Sequence, residues 1–165
     1  MKNSSRNYFY FLFIFFFISC EKQETLEPVP VPEIKNSYIS FLQDTVQVKL
    51  TITSARKEHV GNLLATAIDG KLPDSILNHN NLIIRIAGDS TRLYTNTEIF
   101  ASYTDSSGNV FANEITDTTN KVQLTKFEKK KDGIVEGNFT IRVSNFTKTK
   151  VFLLKNGKFS TTLFE

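Results

Sequence analysis

Few residues in this 165-residue chain could carry chemistry. His59 and His79 are the only histidines. Neither has a second His, a Cys or a carboxylate at a ligand spacing such as i+4 on a shared face, so both are expected to be ordinary surface residues. Cys20 is the single cysteine, which excludes an internal disulfide. There is no nucleophile-elbow sequence to select a serine and no phosphate-binding glycine loop; the seven glycines fall mostly at expected turns. A pair of carboxylates working as acid and base is not excluded, but acidic residues are sparse in the segments that read as strands. The chain is therefore expected not to be an enzyme, with no catalytic, metal-binding or cofactor-binding residue assigned; a hydrolase is the least supported reading. The run Lys129-Lys130-Lys131 admits an anion-binding reading, but a solvated turn whose charges discourage edge-to-edge association is preferred.

The informative residue is Cys20, because of what precedes it. Met1, Lys2 and Arg6 open the chain, and an uncharged apolar run follows from Tyr8 to Ile18. That run is shorter than the roughly 20 residues needed to cross a bilayer as a helix, and a basic start with a short apolar core describes a secretory leader. Phe17-Ile18-Ser19-Cys20 resembles the bacterial lipobox, with Phe17 where Leu is usual and Ile18 where a small residue is more common. The resemblance implies cleavage before Cys20 and lipidation of that thiol. Two or three acyl chains hold a protein on a membrane almost permanently. Loss of Lys2 and Arg6 with the leader lowers the formal charge from +3 to +1, so no electrostatic footprint for nucleic acid is expected.

Residues 20–36 read as the lipidated cysteine and a tether. Pro28, Pro30 and Pro32 are three of the four prolines and favour an extended polyproline conformation, able to reach about 50 Å. Cys20-Glu21-Lys22-Gln23-Glu24 resembles the surface-export signal of Bacteroidetes lipoproteins, with Gln23 where a second acidic residue is usual. It implies the outer membrane, on the cell surface in preference to the periplasmic side. Asp44-Thr45-Val46, Asp74-Ser75-Ile76, Asp89-Ser90-Thr91 and Asp117-Thr118-Thr119 resemble O-glycosylation sites of exported proteins from the same bacteria, with Thr45, Ser75, Ser90 and Thr118 as the acceptors. Turn formation by Asp-Ser and Asp-Thr is the equally weighted reading.

Any site must be positioned by residues 37–165, enough for one domain with its own core. Tyr38 to Phe41 and Val46 to Ile52 read as strands. Leu82, Ile84 and Ile86 alternate along a strand from Asn81 to Ala87, and Phe139, Ile141 and Val143 alternate along another. Asp105-Ser106-Ser107-Gly108 separates Phe100–Tyr103 from Val110-Phe111 as a turn. Asp132-Gly133 predicts a hairpin with φ above zero, joining Val122–Phe127 to Ile134–Val143. Asn156-Gly157 predicts a second hairpin, between Val151–Leu154 and Phe159–Phe164. From Ser54 to Gly70 two readings stand. Val60, Leu63, Leu64, Ala67 and Ile68 share one helical face, predicting one short helix over 54–69. Alternatively a strand runs from Leu63 to Ile68 and turns at Asp69-Gly70. Phe139, Ile141 and Val143 are expected to face inward, with Phe127 and Phe159 in the same cluster.

Four pieces, Phe100–Tyr103 with Gly108, Val122–Glu128, Ile134–Ile141 and Asn156–Ser160, resemble the C-terminal part of small β-rich Bacteroidetes lipoproteins classed as domains of unknown function. The resemblance implies an antiparallel β-sandwich or barrel-like domain and supplies no site residues. The expected function is a membrane-anchored, non-enzymatic binding or structural module with an envelope protein or glycan as partner. The alternative is a carrier holding a small apolar ligand in a β-barrel cavity, which the nine phenylalanines beyond the leader could line.

Overall fold

Alternation of apolar and polar side chains makes strands of most of the chain. A computed structural model describes residues 37–73 and 79–164. The leader, Cys20, the tether and Ser75 lie outside these residues. The strands are β1 (Tyr38–Gln43), β2 (Val46–Leu50), β3 (Ile52–Val60), β4 (Leu63–Lys71), β5 (Asn81–Ile86), β6 (Leu93–Thr95), β7 (Ile99–Thr104), β8 (Val110–Asn113), β9 (Lys121–Phe127), β10 (Ile134–Ser144) and β11 (Val151–Phe164). A short 3-10 turn at Asn96–Glu98 separates β6 from β7.

The strand order is β2-β1-β11-β3-β4-β5-β7-β8-β10-β9-β6, and β10 also pairs with β11, so the hydrogen bonding closes on itself. Closure depends on two long strands that each serve two partners along one edge. β11 pairs with β1 through residues 154–160 and with β3 at Leu163 and Phe164. β10 pairs with β9 through residues 135–140 and with β8 at Val143 and Ser144. The result is a barrel-like β-sandwich. One face is β2-β1-β11-β10-β9-β6 and the other is β3-β4-β5-β7-β8. All pairings are antiparallel except β3 with β11, which is parallel. That seam is reinforced inside by a hydrogen bond from Thr53 Oγ1 to Thr161 Oγ1 at 3.0 Å. From outside, Asp132 N–H donates to the Leu163 carbonyl at 2.9 Å and Leu163 N–H donates to the Gly133 carbonyl at 2.7 Å.

The inward residues form one core. Leu82, Ile84, Ile86, Ile141 and Val143 are fully buried or nearly so, as are Phe139 and Phe159, and Phe127 packs against them from a half-buried position. At the centre of β10 and β11, two cross-strand pairs repeat one device in opposite senses: Gly137 lies opposite Phe159, and Phe139 lies opposite Gly157. A Cβ on Gly157 would stand 2.5 Å from three atoms of the Phe139 ring, and one on Gly137 would stand 2.5 Å from the tip of Phe159. Each glycine is the floor for the partner strand's ring, and the two rings stack with centroids 6.4 Å apart.

Three sequence expectations need correction. The 54–69 segment holds no helix; it is the β3–β4 hairpin, paired in register from Ile52↔Lys71 to Val60↔Leu63. Its two-residue turn is Gly61-Asn62, with Gly61 at φ 62. The helical spacing was incidental, since Val60 and Leu63 at the hairpin tip are 58% and 67% exposed. Nor does the strand turn at Asp69-Gly70. Gly70 lies within β4, where a Cβ would meet Ile39 Cδ1 at 2.7 Å. Asn156-Gly157 is not a turn either. β11 is continuous from Val151 to Phe164, and Asn156, at φ 52, is the extra residue of a bulge opposite both β10 and β1. The reversal between β10 and β11 lies at Asn145–Lys150, with Lys148 at φ 56. The Asp132-Gly133 connection joins β9 to β10 as expected, but Asp132 carries the positive φ of 58. Gly133 is required for a different reason: a Cβ there would collide with the Glu128 carbonyl oxygen and lie 2.7 Å from that of Lys130.

Candidate functional site

β1 and β10 both run antiparallel to β11, and β7 and β10 both run antiparallel to β8. Their outgoing loops, at 44–45, 105–109 and 145–150, therefore leave from one end of the barrel. Tyr38, the first strand residue, pairs with Ser160 toward the other end.

The 145–150 loop is held rigidly by its own polar groups. Asn145 Nδ2 donates to Thr147 Oγ1 and Thr149 Oγ1, both at 3.0 Å, and Asn145 Oδ1 accepts from Lys150 N–H at 3.0 Å. The Lys148 ammonium pairs with Glu114. The Lys150 ammonium sits 5.4 Å from the Phe111 ring centre and 4.9 Å from that of Phe152, and 3.5 Å from Asp105 Oδ2. Phe146 is left standing out of this frame, 101% exposed. Val110, 60% exposed, lines the same surface groove. Ile115 and Val151 add exposed apolar surface on the loop after β8 and at the start of β11. The ring of Phe146 thus projects from a hydrogen-bonded loop with Val110 beside it.

The supporting loop is built around Asp105. Its Oδ1 accepts from Ser107 N–H and Asn109 N–H, both at 2.9 Å, and Gly108 takes the left-handed φ of 83. Burial pushes the Asp105 carboxyl up, but the Asn109 side chain, the two amides and the Lys150 ammonium outweigh it and hold it below the usual aspartate value. Its neighbour Tyr103 donates its hydroxyl to Gln43 Oε1 at 2.8 Å. Burial, assisted by the Asp105 charge, pushes that phenol up to about 12, so it stays protonated and serves as a donor. Two asparagines that the sequence did not single out complete this end. Asn120 Oδ1 accepts from Arg142 N–H at 3.0 Å, filling the gap along β10 between β8 and β9. Asn113 Oδ1 accepts from Ala101 N–H at 2.6 Å, while its Nδ2 donates to the Ile99 carbonyl. Their burial among strands was the missing signal.

The expected site residues fall apart from one another. His59 is exposed on β3, and His79 is half-buried with Nε2 where a Gly108 side chain would go. Among the described residues, no three His, Cys, Asp or Glu side chains gather where a metal ion could be held, and no helix is long and apolar enough to cross a membrane. Thr45, Ser90 and Thr118 are exposed and lie in three different loops. Asp117 also makes the turn expected of it, accepting from Thr119 N–H at 2.8 Å. Lys129 of the triple lysine pairs with Asp89 at 2.9 Å, while Lys130 and Lys131 are exposed.

Aromatic rings occupy the middle of the barrel. Ring centres lie 5.7 Å apart for Phe41 and Tyr103, 6.0 Å for Phe41 and Phe139, 6.4 Å for Tyr103 and Phe152, and 4.8 Å for Phe111 and Phe152. Comparison of the chain with protein-family models, with curated proteins and with solved structures returns no match.

Proposed function

We propose that this chain is a lipid-anchored lipoprotein of the bacterial outer membrane, facing the cell surface, that acts as a non-enzymatic binding module through the loop end carrying Phe146. The observation that carries the reading is the full exposure of that ring on a loop whose other groups are fixed. The lipobox-like Phe17-Ile18-Ser19-Cys20 supplies the anchor, and the proline-rich stretch after it supplies the reach. The 44–45, 105–109 and 145–150 loops leave the domain from the end opposite Tyr38. The rings packed through the barrel favour surface contact over carriage of a ligand inside.

Two measurements test this. Cys20→Ser, exported by a leader that needs no cysteine, should leave the membrane fraction after a high-salt wash; retention there refutes the lipid anchor. A photo-reactive phenylalanine analogue at position 146 should crosslink to an envelope protein or glycan in intact cells, whereas the same group at exposed His59, on β3 of the other face, should not. Equal crosslinking at both positions, or none at 146, refutes the loop end as the contact surface.

A further inference from the structure

The outer surfaces of the two faces are charged in different ways. On β3, β4 and β5 the charges answer one another: Arg56 pairs with Glu58 at 2.6 Å and with Asp69, and Arg85 donates to Glu58 at 2.9 Å. Burial would raise the Glu58 carboxyl, but Arg85 and Arg56 hold it below its usual value. On the opposite face the strand register lines up Asn138 on β10, Lys158 on β11, Ser40 on β1 and Lys49 on β2. Lys121 on β9 lies opposite Thr140 in the adjoining row. Among the described residues, Lys49, Lys121 and Lys158 have no carboxylate partner, and the side chains of Asn138, Thr140 and Asn156 accept or donate no hydrogen bond.

Lys121, Asn138, Thr140, Asn156 and Lys158 rim an open groove of about 600 Å³, with Gly157 and Phe139 at its floor. Asn156, the extra residue of the bulge, stands exposed on the rim. With strands about 4.8 Å apart, Lys158 and Lys49 stand roughly 10 Å from each other. The groove rim thus offers ammonium groups separated by amides and hydroxyls and no carboxylate; Glu136, the next outward residue along β10, lies beyond the rim and accepts from Ser160 Oγ at 3.1 Å. Ammoniums suit a carboxylate or sulfate, and the intervening groups suit sugar hydroxyls. A lipid headgroup layer would use the ammoniums and leave the amides idle.

We infer that this face binds an acidic polysaccharide, with Lys121 and Lys158 meeting its anionic groups and Asn138, Thr140 and Asn156 its hydroxyls. The inference rests on the reading of the domain as a binding module. Its test uses the full lipidated protein in nonionic detergent, with labelled oligogalacturonate as the acidic probe, dextran as the neutral one and soluble glycerophosphoglycerol as the lipid-headgroup one. Oligogalacturonate should bind, more weakly as salt rises, and dextran should not. Lys121→Gln with Lys158→Gln should weaken binding by about tenfold or more, while Lys130→Gln with Lys131→Gln on the loop should leave it unchanged. Equal losses in the two double variants, an unchanged affinity in the first, or binding of glycerophosphoglycerol without oligogalacturonate binding would overturn the assignment. All variants should keep the wild-type unfolding midpoint. Position 146 serves as the separate control: oligogalacturonate binding without crosslinking at 146 refutes the loop-end reading alone, and the converse refutes this one alone.

Discussion

Gly157→Ala is expected to cost about 1–3 kcal/mol, the usual range for adding a methyl group to a packed interior. A Cβ at 157 would stand 2.5 Å from three ring atoms of Phe139, roughly 1 Å inside carbon–carbon contact distance. The ring has little room to retreat, since it meets Phe41 at 6.0 Å and Phe159 at 6.4 Å between centres. The cost should therefore depend on the ring. Phe139→Leu keeps most of the volume and alone should cost about 1.5 kcal/mol or less, but it removes two of the three atoms that the added methyl would strike, Cε2 and Cζ. In the Phe139→Leu background, Gly157→Ala should cost well under half of what it costs in the wild type, giving a coupling of about 1–2 kcal/mol. Urea unfolding of the wild type, the two single variants and the double variant measures this. With a slope of about 1–3 kcal/mol per molar, the effect is a midpoint shift of several tenths molar or more. Additive losses, with coupling below about 0.5 kcal/mol, would show that the ring does not rest on Gly157 and that the bulge has another cause.

Gly133→Val should destabilise the domain clearly, because its Cβ would collide with the Glu128 carbonyl, while Lys130→Ala should stay within about 0.5 kcal/mol; comparable thermal midpoints would contradict the loop geometry. Asp105→Ala should cost about 1–3 kcal/mol by stranding the amides of Ser107 and Asn109. The Asp105 carboxyl lies lower in the folded than in the unfolded chain, so its stabilisation is present above the unfolded value and lost as pH falls through the folded one. The gap between wild type and Asp105→Ala in urea should therefore begin to narrow below about pH 5 and go on narrowing as pH falls through the folded value; a gap that widens on acidification would reverse the sign.

The parts of the fold that were legible are those a segment decides by itself. Leu82, Ile84 and Ile86 alternate with polar residues, and no neighbour is needed to see that they share a face. Asp105 and Gly108 bracket a turn for the same reason, since side-chain acceptance and φ above zero are local demands. Asn156-Gly157 shows where that logic stops. A turn and a bulge ask the same left-handed residue of the sequence, and only the pairing of Gly157 with Phe139, across the β10–β11 hairpin, decides between them. The helical pattern from Val60 to Ile68 failed in a related way, because Val60 and Leu63 are hydrophobic at an exposed tip and so imitate a core face. Exposure of Phe146 and the gathering of Lys121, Lys158 and Lys49 on β9, β11 and β2 were equally hidden, because each depends on register between distant strands.

The seam between β3 and β11 also governs when the barrel can exist. Thr53 and Thr161, which meet there, are 108 residues apart in sequence, and Leu163 is gripped by β3 on one side and the Gly133 loop on the other. A chain delivered from its N-terminus holds β3 early and can satisfy that edge only when residues 161–164 arrive. Until then the strands form an open sheet, and separations of this size slow the search for the final pairing. The barrel thus cannot lock until the last residues of β11 are free to pair with β3.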